Sequence, residues 1–174
     1  MKTFAKLSIL LGALLVVGFF GGGALLPKTF SIQRSQRIAA PAEEVYTLVG
    51  HLDRWTEWTA WNAEEIPGLE ISVPGTSEGT GATQLWKMGE REGTLTITSA
   101  EAARGIFYSF ILEGQPKSEG IITFVTAGSF TEVVWQIRGS LENSTERWLG
   151  TLLDGRLGGQ MEEGLDRLKA RFAP

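Results

Sequence analysis

Few groups in this chain can carry covalent or acid–base chemistry. His51 is the one histidine and cysteine is absent, so a structural zinc site, a Cys-His pair or a histidine cluster cannot be built. A Ser-His-Asp triad would need His51, and its neighbours Gly50, Leu52 and Asp53 form no nucleophile elbow; a satisfied surface or helix-end histidine accounts for it. Glu57, with Trp55 and Trp58 on either side, is the one acid whose surroundings could raise its pKa by desolvation, which makes it the sole candidate catalytic residue. The alternative is a solvated glutamate on a helix's outer face. Gly79, Thr80 and Gly81 give a turn signal, but no strand-to-helix junction follows, so a phosphate-cradling loop is not supported. No metal and no cofactor is implied.

The elements that would position such groups are legible from hydropathy patterning. Phe30 to Ile38 reads as a first strand, with Phe30 and Ile32 on one face, ending at Pro41, where proline suits a helix's first turn. Glu43 and Glu44 fit the positive end of that helix, and Val45, Leu48, Val49 and Leu52 form its apolar stripe. A second short helix, capped by Asp53, would carry Trp55 and Trp58. Six strand candidates follow, with shared faces Leu69/Ile71/Val73, Trp86/Met88, Leu95/Ile97, Tyr108/Phe110/Leu112, Ile122/Phe124 and Val133/Trp135/Ile137. A long final helix begins at Asn143 or Ser144, with Glu146 completing a capping box. Its stripe runs through Trp148, Leu149, Leu152, Leu153, Leu157, Met161, Leu165, Leu168 and Phe172. Gly155, Gly158, Gly159 and Gly164 cost that helix about 1 kcal/mol each relative to alanine, so something else must favour them.

Ahead of these elements, Leu7 to Leu26 contains no charged side chain, and twelve of its twenty residues are Leu, Ile, Val or Phe. As a helix it would cross a ~30 Å hydrocarbon core, with insertion favoured by roughly 4 to 7 kcal/mol. Residues 1–28 are therefore expected to be a membrane anchor, a cleaved signal peptide being the rival reading, and residues 29–174 a single domain. Lys2 and Lys6 favour a cytoplasmic N-terminus and an extracytoplasmic domain, against the pull of Lys28, Arg34 and Arg37. Gly18 and Gly22 match a small-xxx-small pairing that could seat another helix. Leaving out those two lysines, the chain's net charge of −4 becomes −6 for the rest. An acidic surface without a basic cluster argues against nucleic acid and against anionic headgroups.

The order of one strand, two short helices, six strands and a long helix describes an α+β domain: a curved antiparallel sheet of about seven strands around a C-terminal helix. Here the chain resembles the START-related and polyketide-cyclase superfamily, often abbreviated SRPBCC. The resemblance rests on Ile38-Ala39-Ala40-Pro41-Ala42-Glu43-Glu44-Val45, then Leu52-Asp53-Arg54-Trp55-Thr56-Glu57-Trp58-Thr59-Ala60-Trp61, the Val133-Val134-Trp135 strand, and Glu163-Gly164-Leu165-Asp166-Arg167-Leu168-Lys169. It covers roughly Phe30 to Phe172 and implies a helix-grip fold with a cavity between sheet and helix. It implies no single reaction, because function lives in the site and not the fold.

A sheet curled around one helix cannot fill its interior everywhere, so a pocket there would be apolar. The candidate lining is Trp86, Tyr108, Phe110, Phe124 and Trp135 from the sheet, with Leu153, Leu157 and Met161 from the helix and Trp61 at its mouth. Ordinary core packing is the alternative for each, and the helix glycines could either leave room for a ligand or permit close packing. The leading expectation is a membrane-tethered domain that binds a hydrophobic small molecule or lipid, for sequestration or transfer. A polyketide cyclase or dehydratase-like enzyme using Glu57 is the second, and a protein-interaction or stress-response module the third.

Overall fold

The computed structural model describes residues 2–114 and 117–173, with the backbone alone for residues 2–5 and 7–9. Helix α1 (Lys2–Leu25) precedes strand β1 (Thr29–Ile38), helix α2 (Ala42–Val49) and a 3₁₀ turn, Leu52–Glu57. Six strands follow: β2 (Leu69–Ser72), β3 (Thr83–Met88), β4 (Arg91–Glu101), β5 (Gly105–Leu112), β6 (Ser118–Ala127) and β7 (Phe130–Ser140). The chain ends in α3 (Ser144–Leu153), a π turn (Asp154–Gly158) and α4 (Gly159–Ala170). All seven strands form one antiparallel sheet in the order β1-β7-β6-β5-β4-β3-β2. This is a helix-grip arrangement: the sheet wraps a long C-terminal helix.

Alternation decides which side chains enter the core. On β7 Val133, Trp135 and Ile137 are buried; on β4 Leu95 and Ile97; on β6 Ile122 and Phe124. The strands with apolar residues on both faces turn Phe107, Ile111 and Val125 outward, where they are exposed. Pro41 sits just before α2, and its carbonyl accepts from the amides of Glu44 and Val45. The residue before the 3₁₀ turn is His51 and not Asp53, which falls inside it. That turn sends Trp55 and Trp58 into the core, where they meet Tyr108 and Trp135 edge-on or tilted at centroid distances of 5.3–6.5 Å. Such rings favour offset and T-shaped contacts because of their quadrupoles.

The terminal helix departs from the straight rod that its stripe predicts. Asn143 caps α3 by accepting from the Glu146 amide at 2.9 Å, and the Glu146 carboxylate accepts from the Glu142 amide and Asn143 Nδ2. Trp148, Leu149 and Leu152 are exposed, and full burial is reached only at Met161, Leu165 and Leu168 on α4. The π turn between the two halves shifts the phase of the stripe, so α3 and α4 present different faces to the sheet. Two of the glycines serve close packing. A Cβ on Gly164 would press on Trp135 and the backbone at Trp58, and one on Gly158 would collide with the Arg34 guanidinium.

Among the described residues no helix is long and apolar enough to cross a membrane. This corrects the expected transmembrane helix over Leu7–Leu26, and with it the single-pass membrane localisation, the membrane as partner and the extracytoplasmic placement. The side chains of Leu7, Ser8 and Ile9 lie outside the described residues. Leu10 to Val17 carry exposed apolar side chains, but the run ends against the domain itself. Trp148 stacks on Phe19 with centroids 6.2 Å apart and donates from Nε1 to the Phe19 carbonyl at 3.0 Å. Gly22 faces the Trp148 ring and Gly23 the Ser144 side chain, so the helix they seat is α3 of the same chain; Gly18 faces nothing.

Candidate functional site

The concave face of the sheet is filled at one end and open at the other. The filled end holds Trp55, Trp58, Tyr108 and Trp135, tied by hydrogen bonds from Trp55 Nε1 to the Val49 carbonyl (2.9 Å) and from Trp135 Nε1 to the Tyr108 hydroxyl (2.8 Å). Burial pushes the Tyr108 hydroxyl's pKa up, so it stays protonated. Among the described residues Trp58 Nε1 is the one buried side-chain polar atom without a partner.

At the open end, where β3, β4, β5 and β6 meet their hairpin turns, lies a cavity of about 320 Å³. Its walls are Phe30, Trp61, Ile66, Leu69, Trp86, Met88, Arg91, Phe110, Leu112, Ser118, Leu153, Arg156, Leu157 and Gln160. The size falls at the lower end of the roughly 300–1,000 Å³ typical of small-molecule sites, as does the mixture of many apolar walls with a few polar groups. Its aromatic corner is Trp61, Trp86 and Phe110, with centroids 4.9–5.8 Å apart. Two glutamines orient that corner. Buried Gln84 donates to the Leu52 carbonyl at 2.9 Å and accepts from Trp86 Nε1 at 2.6 Å. Gln160 accepts from Trp61 Nε1 at 3.2 Å, which ties the loop after the 3₁₀ turn to α4.

Five of the nine residues expected from sequence to line a pocket stand on this wall: Trp61, Trp86, Phe110, Leu153 and Leu157. The other four do not. Tyr108 and Trp135 belong to the filled end, and Phe124 and Met161 are buried core. Trp135 and Met161 border only a void of about 10 Å³, no more than one water could occupy. For Tyr108 and Trp135 the physical reason is that Trp55 and Trp58 pack against their rings. Met88 and Leu112 were within reach of the sequence, since they continue the Trp86 and Phe110 faces by two residues. Arg91, Arg156, Gln84 and Gln160 carried no pattern that marks them.

Glu57 is corrected both in place and in chemistry. It is absent from the cavity wall and faces outward to Arg54, whose Nε and Nη2 lie 2.8 and 3.2 Å from its carboxylate oxygens, with Arg171 at 3.9 Å. The hydrogen bonds from Arg54 hold its pKa below the ordinary carboxylate range, the reverse of the expected rise. The two indoles beside it in sequence point inward, and the desolvation that remains is outweighed by the hydrogen bonds from Arg54. His51 Nε2 pairs with Glu78 at 2.9 Å, away from the cavity. Gly79 and Gly81 take positive φ ahead of β3, as a turn before a strand requires. Among the described residues no group of three His, Asp or Glu side chains is placed to hold a metal ion.

Comparison with known proteins places this architecture. Solved structures of similar fold include a protein from Thermobifida fusca, with a TM-score of 0.60 and 21% identity over 82% of this chain and 92% of that one. Protein Ms6760 from Mycobacterium smegmatis gives 0.58 and 12% identity, covering 82% and 90% of the two chains. A third, DynU16 from the dynemicin biosynthetic locus, gives 0.55 and 17% identity, covering 80% of this chain and 46% of the other. At these identities the likeness is one of fold. A comparison with curated proteins found no match. A family model described as polyketide cyclase / dehydrase and lipid transport matches residues 29–173, the whole stretch from β1 past α4 that builds the sheet, the helix and the cavity. By that match the chain belongs to the polyketide cyclase/dehydrase and lipid transport family.

Proposed function

We propose that this chain binds a small hydrophobic molecule in the cavity between the open end of the sheet and the C-terminal helix. The observation that carries the reading is the cavity itself: about 320 Å³, with ten of fourteen wall residues apolar, in a fold whose other end is packed with aromatic rings. Shielding such a molecule from water is what sequestration or transfer of a lipid-like compound needs, and the family's description includes lipid transport. The wall residues Trp61, Trp86, Phe110, Leu153 and Leu157 are its proposed contacts. Native mass spectrometry of the gently purified chain should show a retained hydrophobic species, and the emptied protein should take up Nile red with quenching of tryptophan fluorescence. A chain that emerges empty and takes up no dye overturns the reading.

A cyclase or dehydrase-type reaction on the held molecule is the second reading. It is favoured by the family's description and by a structural neighbour from a biosynthetic locus. Its polar means would be Arg91, Ser118, Arg156 and Gln160, the polar residues on the cavity wall. Glu57 does not stand on that wall.

A further inference from the structure

We infer that the molecule held in this cavity carries an anionic head group, which Arg91 and Arg156 bind at the mouth while its apolar body lies against Trp61, Trp86 and Phe110. The inference rests on the binding reading above and adds the charge of the ligand to it. The chain has ten arginines, and the domain around them has an excess of carboxylates. Arg34, Arg54, Arg104, Arg138, Arg167 and Arg171 each pair with at least one acid. Arg37 lies over the Phe130 ring, and Arg147 donates to backbone carbonyls. Only Arg91 and Arg156 are left without a partner among the described residues, and both stand on the cavity wall, one from the sheet and one from the π turn.

Among the described residues no neighbouring acid, Glu90 and Glu92 beside Arg91 or Asp154 before Arg156, forms an ion pair with either. Glu92 follows Arg91 on β4 and so points to the opposite face, where it borders a shallow depression on the outer side of the sheet. Asp154, two residues before Arg156, is engaged by Arg34 at 3.1 Å. Among the described residues the cavity wall contains no carboxylate. Guanidinium groups bind carboxylate and phosphate oxygens through charge-assisted hydrogen bonds, and their alkyl stems can cover apolar surface at the same time. Two such groups at the rim of an apolar cavity select an amphiphile over a purely apolar molecule of the same size.

Calorimetric titration of the full chain with dodecanoate, dodecyl phosphate and 1-dodecanol separates the possibilities. At low salt one or both anions should bind about tenfold or more tighter than the alcohol, and the head preferred names the head. The preference should shrink as ionic strength rises. In the double variant Arg91→Met/Arg156→Met, which keeps the apolar stems, both anions should fall to the alcohol's affinity while the alcohol binds as before. Equal binding of all three to the unmodified chain, or a preference that survives in the double variant, overturns the inference and leaves the cavity reading standing. If none of the three binds, the cavity reading itself fails and takes the inference with it.

Discussion

Tyr108 dictates what may stand opposite it. Its partner across the β5–β6 ladder is Gly120, and a Cβ built there would overlap the phenol ring. The ring cannot move aside, because its hydroxyl accepts from Trp135 Nε1 and it meets Trp55 in a T-shaped contact. Gly120→Ala should therefore cost at least about 3 kcal/mol, the upper range of overpacking in a dense core. Urea denaturation checks this, and a loss near zero would mean that the ring has room to yield. Glu57 makes a weaker but signed contribution. Arg54 lowers its pKa, so the pair stabilises the fold above the unfolded carboxylate's pKa, and that contribution is lost as pH falls through the lower folded value. Both partners are partly in water, which limits the effect. Glu57→Gln should cost no more than about 1 kcal/mol at neutral pH. That deficit should vanish in acid, and dye uptake by the cavity should be unchanged. A deficit that persists in acid would point to packing and not charge.

Among the elements, α3 is loosely anchored to the sheet. It buries none of its residues fully, and its attachments include the Asn143 cap, Arg147 reaching the Leu141 carbonyl at 3.3 Å, Leu153 at the cavity wall and Trp148 on α1. Removing the cap with Asn143→Ala should cost about 1 kcal/mol. Because α3 can open without the sheet, the loss should appear as faster amide exchange over 144–153, with the amides of β5, β6 and β7 unchanged. Equal acceleration everywhere would show that α3 opens only with the whole domain. The cap was legible from Asn143 and Glu146 alone, as were all six later strands, since period-2 alternation needs no tertiary information. The π turn was not. A stripe read at 3.6 residues per turn runs from Leu149 through Leu157 without a break, and the glycines at 155, 158 and 159 signal only that an ordinary helix is costly there.

At the scale of the molecule, alternation tells which face of the sheet a residue occupies and not how far along the groove it sits. Tyr108, Phe110 and Leu112 share one face, yet only Phe110 and Leu112 reach the cavity, because Trp55, from a 3₁₀ turn some fifty residues earlier in sequence, packs against Tyr108. The apolar run before β1 misleads for a related reason. Hydropathy scores each residue without its neighbours, and Gly22 and Gly23 meet α3. The division into a packed and an open end carries a cost that can be measured. Unfilled apolar space forfeits contacts that side chains would otherwise make, so a protein that keeps such space does so against its own stability. Leu112 stands on β5 at the cavity wall, where an aromatic residue suits the strand and the added ring would enter the open space. Leu112→Phe should raise stability by about 0.5–2 kcal/mol and weaken or abolish Nile red uptake. Thermal denaturation and dye titration on the same preparation read both effects, and they should move in opposite directions. A variant that gains no stability and still takes up dye would show that the ring points to solvent and that the open end is surface and not a site.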